Sequence, residues 1–156
     1  MQIRPGTLRD VPGVVGVHLA AWDAAKDGLD LATRPDAERR TDRWTEFVDS
    51  GEGALLVADE DGVVGFISYG PSRDEDRVGE REVYTLYVAP EWWGRGIGSA
   101  LLDRVPADGP VSIWVAERNA RARSLYARHG FVPDGATDPG HHVPVLRMAR
   151  QPTPSS

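Results

Sequence analysis

The sequence predicts an α/β chain of the α+β kind, a mixed sheet with helices on both faces. Three observations predict it. Two strand-like runs meet at the hairpin signal Asp59-Glu60-Asp61-Gly62. A third strand follows without a helix, as in an antiparallel meander. Beyond residue 88, strands alternate with helix-spaced apolar patterns, as β-α-β crossovers do. The order reads β-α-α-β-β-β-α-β-α-β-β, which makes about seven strands.

Gln2 to Arg4 is a short strand candidate. Val11, Val14, Val15, His18 and Trp22 then recur at helical spacing. Thr7 and Asp10 compete as the N-cap, and Asp10 suits Pro12 better because proline belongs in a first turn. Residues 23–33 read as irregular. A second helix, from about Pro35 to Val48, carries Trp44, Phe47 and Val48 among many charges. Ala54–Ala58 and Val63–Tyr69 flank the hairpin turn, residues 70–79 form a charged loop, and Arg81–Val88 is a long strand. The third helix, about Gly96 to Val105, puts Ile97, Leu101 and Val105 on one face and breaks at residues 106–110. Val111–Val115 reads as a central strand. The fourth helix, Asn119 to His129, aligns Ala122, Leu125, Tyr126 and His129, with Gly130 at its C′ position. Phe131–Val132 and Val143–Met148 are the last strands, separated by a Gly/Pro/Asp/His loop.

With 156 residues, the chain fits one domain over residues 1–150, followed by a tail, 151–156, whose composition reads as disordered. The net charge of −6 argues against non-specific nucleic-acid binding and favours a cationic partner. The absence of cysteine excludes disulfides, thiolate nucleophiles and cysteine-ligated metals. No run approaches the roughly 18 apolar residues of a membrane span. The N-terminal residues lack a signal-type apolar core, so a cytoplasmic location is the default expectation.

Gly94, Gly96 and Gly98 alternate directly before an apolar helical run, although glycine costs a helix about 1 kcal/mol relative to alanine. A helix start presents unpaired N–H groups, and glycines let a bare backbone approach an anion. The stretch therefore suits a pyrophosphate, with Arg95 adding charge and Ser99 a hydroxyl. A tight packing turn is the alternative. A Walker loop needs Gly-Lys-Ser/Thr, which is missing, and a dinucleotide fingerprint belongs to the first β-α-β unit, not after four strands.

Two motifs carry a family resemblance. Leu86-Tyr87-Val88-Ala89-Pro90-Glu91-Trp92-Trp93-Gly94-Arg95-Gly96-Ile97-Gly98 is a strand followed by that loop. Asn119-Ala-Arg-Ala-Arg-Ser-Leu-Tyr126-Ala-Arg-His-Gly130-Phe131 follows after an apolar strand. Together they resemble the GNAT superfamily of acetyl-CoA-dependent N-acetyltransferases over Ile3 to Met148. Trp93 departs from the pattern by standing where the family loop has Arg or Gln.

The resemblance implies a mostly antiparallel sheet that splays between its fourth and fifth strands. It implies acetyl-CoA as cosubstrate and no metal. The pyrophosphate would meet Gly94, Arg95, Gly96, Ile97, Gly98 and Ser99. The pantetheine arm would pair with backbone of Leu86, Tyr87 and Val88 and bond Asn119, and an N–H of that strand would serve the oxyanion. An alkyl ammonium has a pKa of about 10, so a general base assists. Glu82 is the first candidate: it stands eleven residues before Trp93, as the catalytic glutamate does in the histone-acetyltransferase branch. Glu80 is second, the acids at 74–76 are weaker, and water remains open. Tyr126 is the general-acid candidate for the departing thiolate. Trp22 and Trp44, with residues 23–34, are candidates to border the acceptor pocket, though such tryptophans are more often core. His141 and His142 read as polar loop rather than metal ligands. A non-catalytic acyl-CoA sensor is the rival function. The acceptor, a small-molecule amine or a peptide, and the oligomeric state, a homodimer included, stay open.

Overall fold

The computed structural model describes residues 1–25, 36–139 and 143–152. The elements are β1 (Gln2–Pro5), α1 (Val11–Ala25), α2 (Ala37–Ser50), β2 (Ala54–Asp59), β3 (Val63–Pro71), β4 (Arg81–Val88), α3 (Ile97–Leu102), β5 (Val111–Ala116), α4 (Ala120–Arg128), β6 (Val132–Asp138) and β7 (Val145–Arg150). The seven strands form one sheet in the order β1-β2-β3-β4-β5-β7-β6. Every neighbouring pair is antiparallel except β4 and β5.

Period-two alternation sorts side chains to two cores. On β2, Leu55 and Val57 face α1 and α2, while Leu56 and Ala58 face the side of α3 and α4. Val11, Val14 and Val15 of α1 and Trp44 of α2 fill the first core. Ile97, Leu101 and Leu102 of α3 fill the second, with Tyr126 of α4 and Phe131 beyond it. Helices thus cover both faces.

The parallel pair sets up the site. β4 and β5 are in register at Arg81↔Val111, Glu82↔Ser112 and Val83↔Ile113, and no further. Against β3, Ser68 faces Thr85 but Tyr69 faces Val83, so Tyr84 is an extra residue in β4. Such a bulge bends a strand and increases its twist. It lies where β4 leaves β5, which gives the splay a local cause.

Several boundaries differ from the sequence reading, β7 among them, which spans Val145–Arg150. Asp10 is not a free N-cap: Arg4 grips it with two hydrogen bonds of 2.8 Å, and Thr7 donates its N–H to the same carboxylate at 2.8 Å. α1 runs to Ala25, so Asp23, Ala24 and Ala25 are helical; residues 26–33 of the expected irregular stretch lie outside the described residues. α3 ends at Leu102, and Arg104 and Val105 then bond three residues back, in a tighter turn before Pro106. β6 extends to Asp138 instead of stopping at Val132. Its register shifts between Pro133 and Thr137, and Gly135 takes a left-handed φ of +94°. An irregular strand of this kind absorbs the residues that read as a loop. Of the tail, Gln151 and Pro152 are described and belong to no element.

Arg147 on β7 fastens the β3–β4 loop across the sheet. Its Nη1 donates to Asp74 at 3.0 Å and to Asp76 at 2.8 Å, its Nη2 to Asp76 at 2.6 Å and its Nε to Asp134 at 2.6 Å. The Arg147 guanidinium holds the Asp76 carboxyl down to about 2. Without Arg147, which is 5% exposed, Asp134 keeps Arg77 and Asp74 keeps Trp114, while Asp76 is open to water. Arg147→Met is therefore expected to cost about 2 kcal/mol of stability in urea unfolding, the worth of its charged hydrogen bonds, with an unchanged midpoint contradicting the role.

Candidate active site

The site is the opening between β4 and β5, closed at Val83↔Ile113 and walled by the loop after β4. Leu86, Tyr87 and Val88 pair with Ile67, Phe66 and Gly65 of β3 on one edge. Their other edge faces the gap. Backbone groups there are free to pair with an extended ligand, as a strand would. The Val88 carbonyl is partly engaged: it accepts the indole N–H of Trp93 at 2.8 Å. Trp93 thus ties the loop to the strand end, and the guanidinium of Arg121 lies 3.8 Å from its ring. Arg95 rests on Trp92 at 4.6 Å.

The glycines divide their work. Gly94 and Gly96 have φ of +75° and +80°, left-handed conformations that side chains resist. A Cβ on either would point into open space, so the backbone conformation and the bare approach are what glycine supplies. Gly98 serves packing instead: a Cβ there would come within 3.2 Å of Leu125 on α4. Ile97 is 3% exposed, so only its backbone can face a ligand. α3 is six residues long, and its leading N–H groups, rather than a long dipole, are what it offers an anion.

Ser99 has a second role that the sequence did not suggest. Its hydroxyl lies 2.7 Å from His129 Nε2, and His129 Nδ1 lies 3.3 Å from Asp103. This relay joins α3 to α4. Asn119 caps α4 as expected, its side chain accepting the Ala122 N–H at 3.1 Å.

Glu82 sits in the next-to-last β4–β5 pair, 8% exposed. Its carboxylate accepts the backbone N–H of Arg73 at 2.9 Å. Burial pushes its pKa up against that hydrogen bond, and the charge of Asp74 adds to the rise. The other acids differ. Glu80 is held by Arg77 at 3.0 Å, and Asp74 and Asp76 by Arg147. Asp74 also accepts the indole N–H of Trp114 at 2.9 Å. Among these four, Glu82 is the carboxylate with no salt bridge to a described residue, although the charge of Arg73 opposes the rise in its pKa. Across the register from it, Ser112 is fully buried and its hydroxyl has no partner, a feature the sequence did not flag.

Tyr126 is 6% exposed on the inner face of α4, edge-on to Phe131. Burial raises its pKa, and Tyr87 adds to the rise, which places the two phenols within electrostatic reach. Trp44 lies in the core, edge-on to Phe66 at 5.2 Å, while Trp22 is half-buried near the end of α1. Residues 26–34 of the expected acceptor border, and His141 and His142, lie outside the described residues. Among the described residues, no group of three or more His, Asp or Glu is placed to hold a metal, and no helix is long and apolar enough to cross a membrane.

Residues 51–133 match the family model of the acetyltransferase (GNAT) domain. An uncharacterized N-acetyltransferase of Bacillus subtilis is 24% identical over 94% of this chain and 87% of its own. A ribosomal-protein-alanine N-acetyltransferase of Brucella melitensis superposes with a TM-score of 0.75 at 26% identity, covering 97% of this chain and 99% of that one. A paia N-acetyltransferase of Thermoplasma acidophilum, solved in complex with coenzyme A, shares the fold at a TM-score of 0.76 and 18% identity, covering 96% and 98%. The chain belongs to the GNAT acetyltransferase family.

Gly96→Val puts a β-branched residue in the left-handed region, where it is a strong outlier. The variant is expected to lose at least about tenfold in coenzyme A affinity, the equivalent of about 1.4 kcal/mol. Calorimetry on the folded variant checks this, and wild-type affinity would remove the loop from the cofactor site.

Proposed function

We propose that the protein transfers the acetyl group of acetyl-CoA to a primary amine of a small molecule or peptide. The observation that carries this reading is the β4–β5 opening with a buried Glu82, free of any salt bridge to a described residue, at its closed end. The residues present fit the cosubstrate: an unpaired strand edge for an amide-bearing arm, and a bare left-handed backbone at Gly94 and Gly96 for phosphates. Acetyl-CoA supplies an activated thioester carbonyl.

Glu82 accepts a proton from the attacking ammonium, directly or through water, so that the nitrogen lone pair is free. Its pKa, raised by burial, makes it a better base than an ordinary carboxylate. As the new C–N bond forms and the C–S bond breaks, Tyr126 gives its proton to the sulfur. Burial keeps Tyr126 protonated across the working range but weakens it as an acid. A thiolate leaves readily, so this contribution falls at the low end of general-acid effects, about 10²-fold. A sensor function would need neither group, and burying a carboxylate that has no salt bridge is costly to keep for structure alone.

Steady-state release of the coenzyme A thiol tests both roles. Glu82→Gln is expected to lose about 10²-fold in kcat/KM near neutral pH and to recover partly at high pH, where free amine is abundant. In the parent protein the acid limb should lie above the ordinary carboxylate range, because the base form appears only as pH rises through the raised pKa of Glu82. Tyr126→Phe should lower kcat at unchanged coenzyme A affinity. Unchanged profiles in both variants would leave the chemistry to water.

A further inference from the structure

The face of the sheet that carries α1 and α2 holds two polar groups without partners among the described residues. His18, on α1, is 3% exposed, and its Nδ1 is buried without a hydrogen bond. Arg40, in the first turns of α2, is half-buried, and its guanidinium has no hydrogen bond or ion pair among the described residues. The contrast within the molecule is plain: Arg4 holds Asp10 and Asp59, Arg77 holds Glu80 and Asp134, and Arg147 holds three aspartates. A desolvated, unpaired guanidinium and an orphaned imidazole nitrogen both destabilise a fold.

The two groups share one surface. Arg40 precedes Trp44 by one helical turn and lies on the same side of α2. Trp44 packs on Phe66 at 5.2 Å, and the His18 ring lies 6.4 Å from that same ring. His18 stacks on Tyr87 at 4.4 Å with the planes 21° apart. Tyr87 belongs to the splayed half of β4 and lies within electrostatic reach of Arg40 on one side and Tyr126 on the other. Arg40, His18, Tyr87 and Tyr126 therefore lead from α2 to the opening.

We propose that Arg40 and His18 form an anion subsite, and that the acceptor is an amine that also carries a carboxylate. This rests on the reading of the opening as the acyl-transfer site. The guanidinium fork matches the two oxygens of a carboxylate in one plane. His18 adds a single donor as the Nδ1–H tautomer. Burial and the charge of Arg40 lower its pKa to about 4, so it stays neutral and does not repel the acceptor's ammonium. Arg43 lies close enough to oppose the charge on Arg40, so a carboxylate bound between them would be held by two guanidiniums.

The experiment pairs each of a set of α-, β- and γ-amino acids with the amine that lacks its carboxyl group. Coenzyme A thiol release is followed with the parent protein, Arg40→Gln, Arg40→Lys and His18→Gln, beside acetyl-CoA calorimetry. At least one amino acid should be preferred over its carboxyl-free partner by about tenfold or more in kcat/KM, the worth of a hydrogen-bonded ion contact. Arg40→Gln should raise the KM for that amino acid and erase the preference, with little change in kcat or in acetyl-CoA affinity. Arg40→Lys should restore part of it, and His18→Gln should cost less than Arg40→Gln. Preference for the carboxyl-free amines would overturn the inference, as would equal loss for both members of a pair in Arg40→Gln. So would rejection of every amino acid by a protein that binds acetyl-CoA. Failure to bind acetyl-CoA would instead remove the acyl-transfer reading, and this inference with it.

Discussion

The structure depends on β4 parting from β5 after Val83. A parallel pair ordinarily continues its ladder, since each unpaired buried N–H or C=O is costly. Here the ladder stops after three pairs, and the extra residue Tyr84 turns β4 away. β3 still pairs the other edge through Val88, so the strand keeps its conformation while one edge lies open. An exposed strand edge is a template for another extended chain. The opening is therefore both a local defect in the sheet and a preformed groove, and the loop, the base candidate and the tyrosines are arranged around it.

Charge is organised to leave one carboxylate different from its neighbours. Glu82 lies close to Asp74, Asp76 and Glu80 in sequence, yet those three are each tied to an arginine. The same ties hold the β3–β4 loop over the sheet and present the Arg73 N–H to Glu82. Arg147 thus acts on the site without touching it: it keeps the loop in place and neutralises the acids that would otherwise raise Glu82 further. Trp93 plays a comparable part at the other end. It replaces the family's Arg or Gln with an indole N–H that secures the loop to Val88.

Much of this was legible in the sequence because it rests on local rules. The glycine alternation pointed to a backbone that side chains would obstruct, and at Gly94 and Gly96 the structure adds left-handed φ angles. Helical spacing placed Tyr126 inward and Asn119 at a cap, and both are there. What escaped depended on distant partners. Asp10 is engaged by Arg4 rather than by helix N–H groups, which no pattern near residue 10 reveals. Gly135 and Asp134 read as loop because an irregular strand and a loop use the same residues. Ser99 gave no sign of His129, which is thirty residues away. His18 and Arg40 read as one core position and one of several charges. Only the tertiary arrangement shows that neither finds a partner among the described residues.

The most direct test of the central claim is amide hydrogen exchange with and without coenzyme A. The account predicts that coenzyme A slows exchange within residues 84–88 of β4 and 94–99 of the loop and α3. Strands β1 and β2, whose ladders are already complete with their neighbours, should not change. Coenzyme A bound at saturation with no protection at either segment would contradict the claim that the parted strands form its groove.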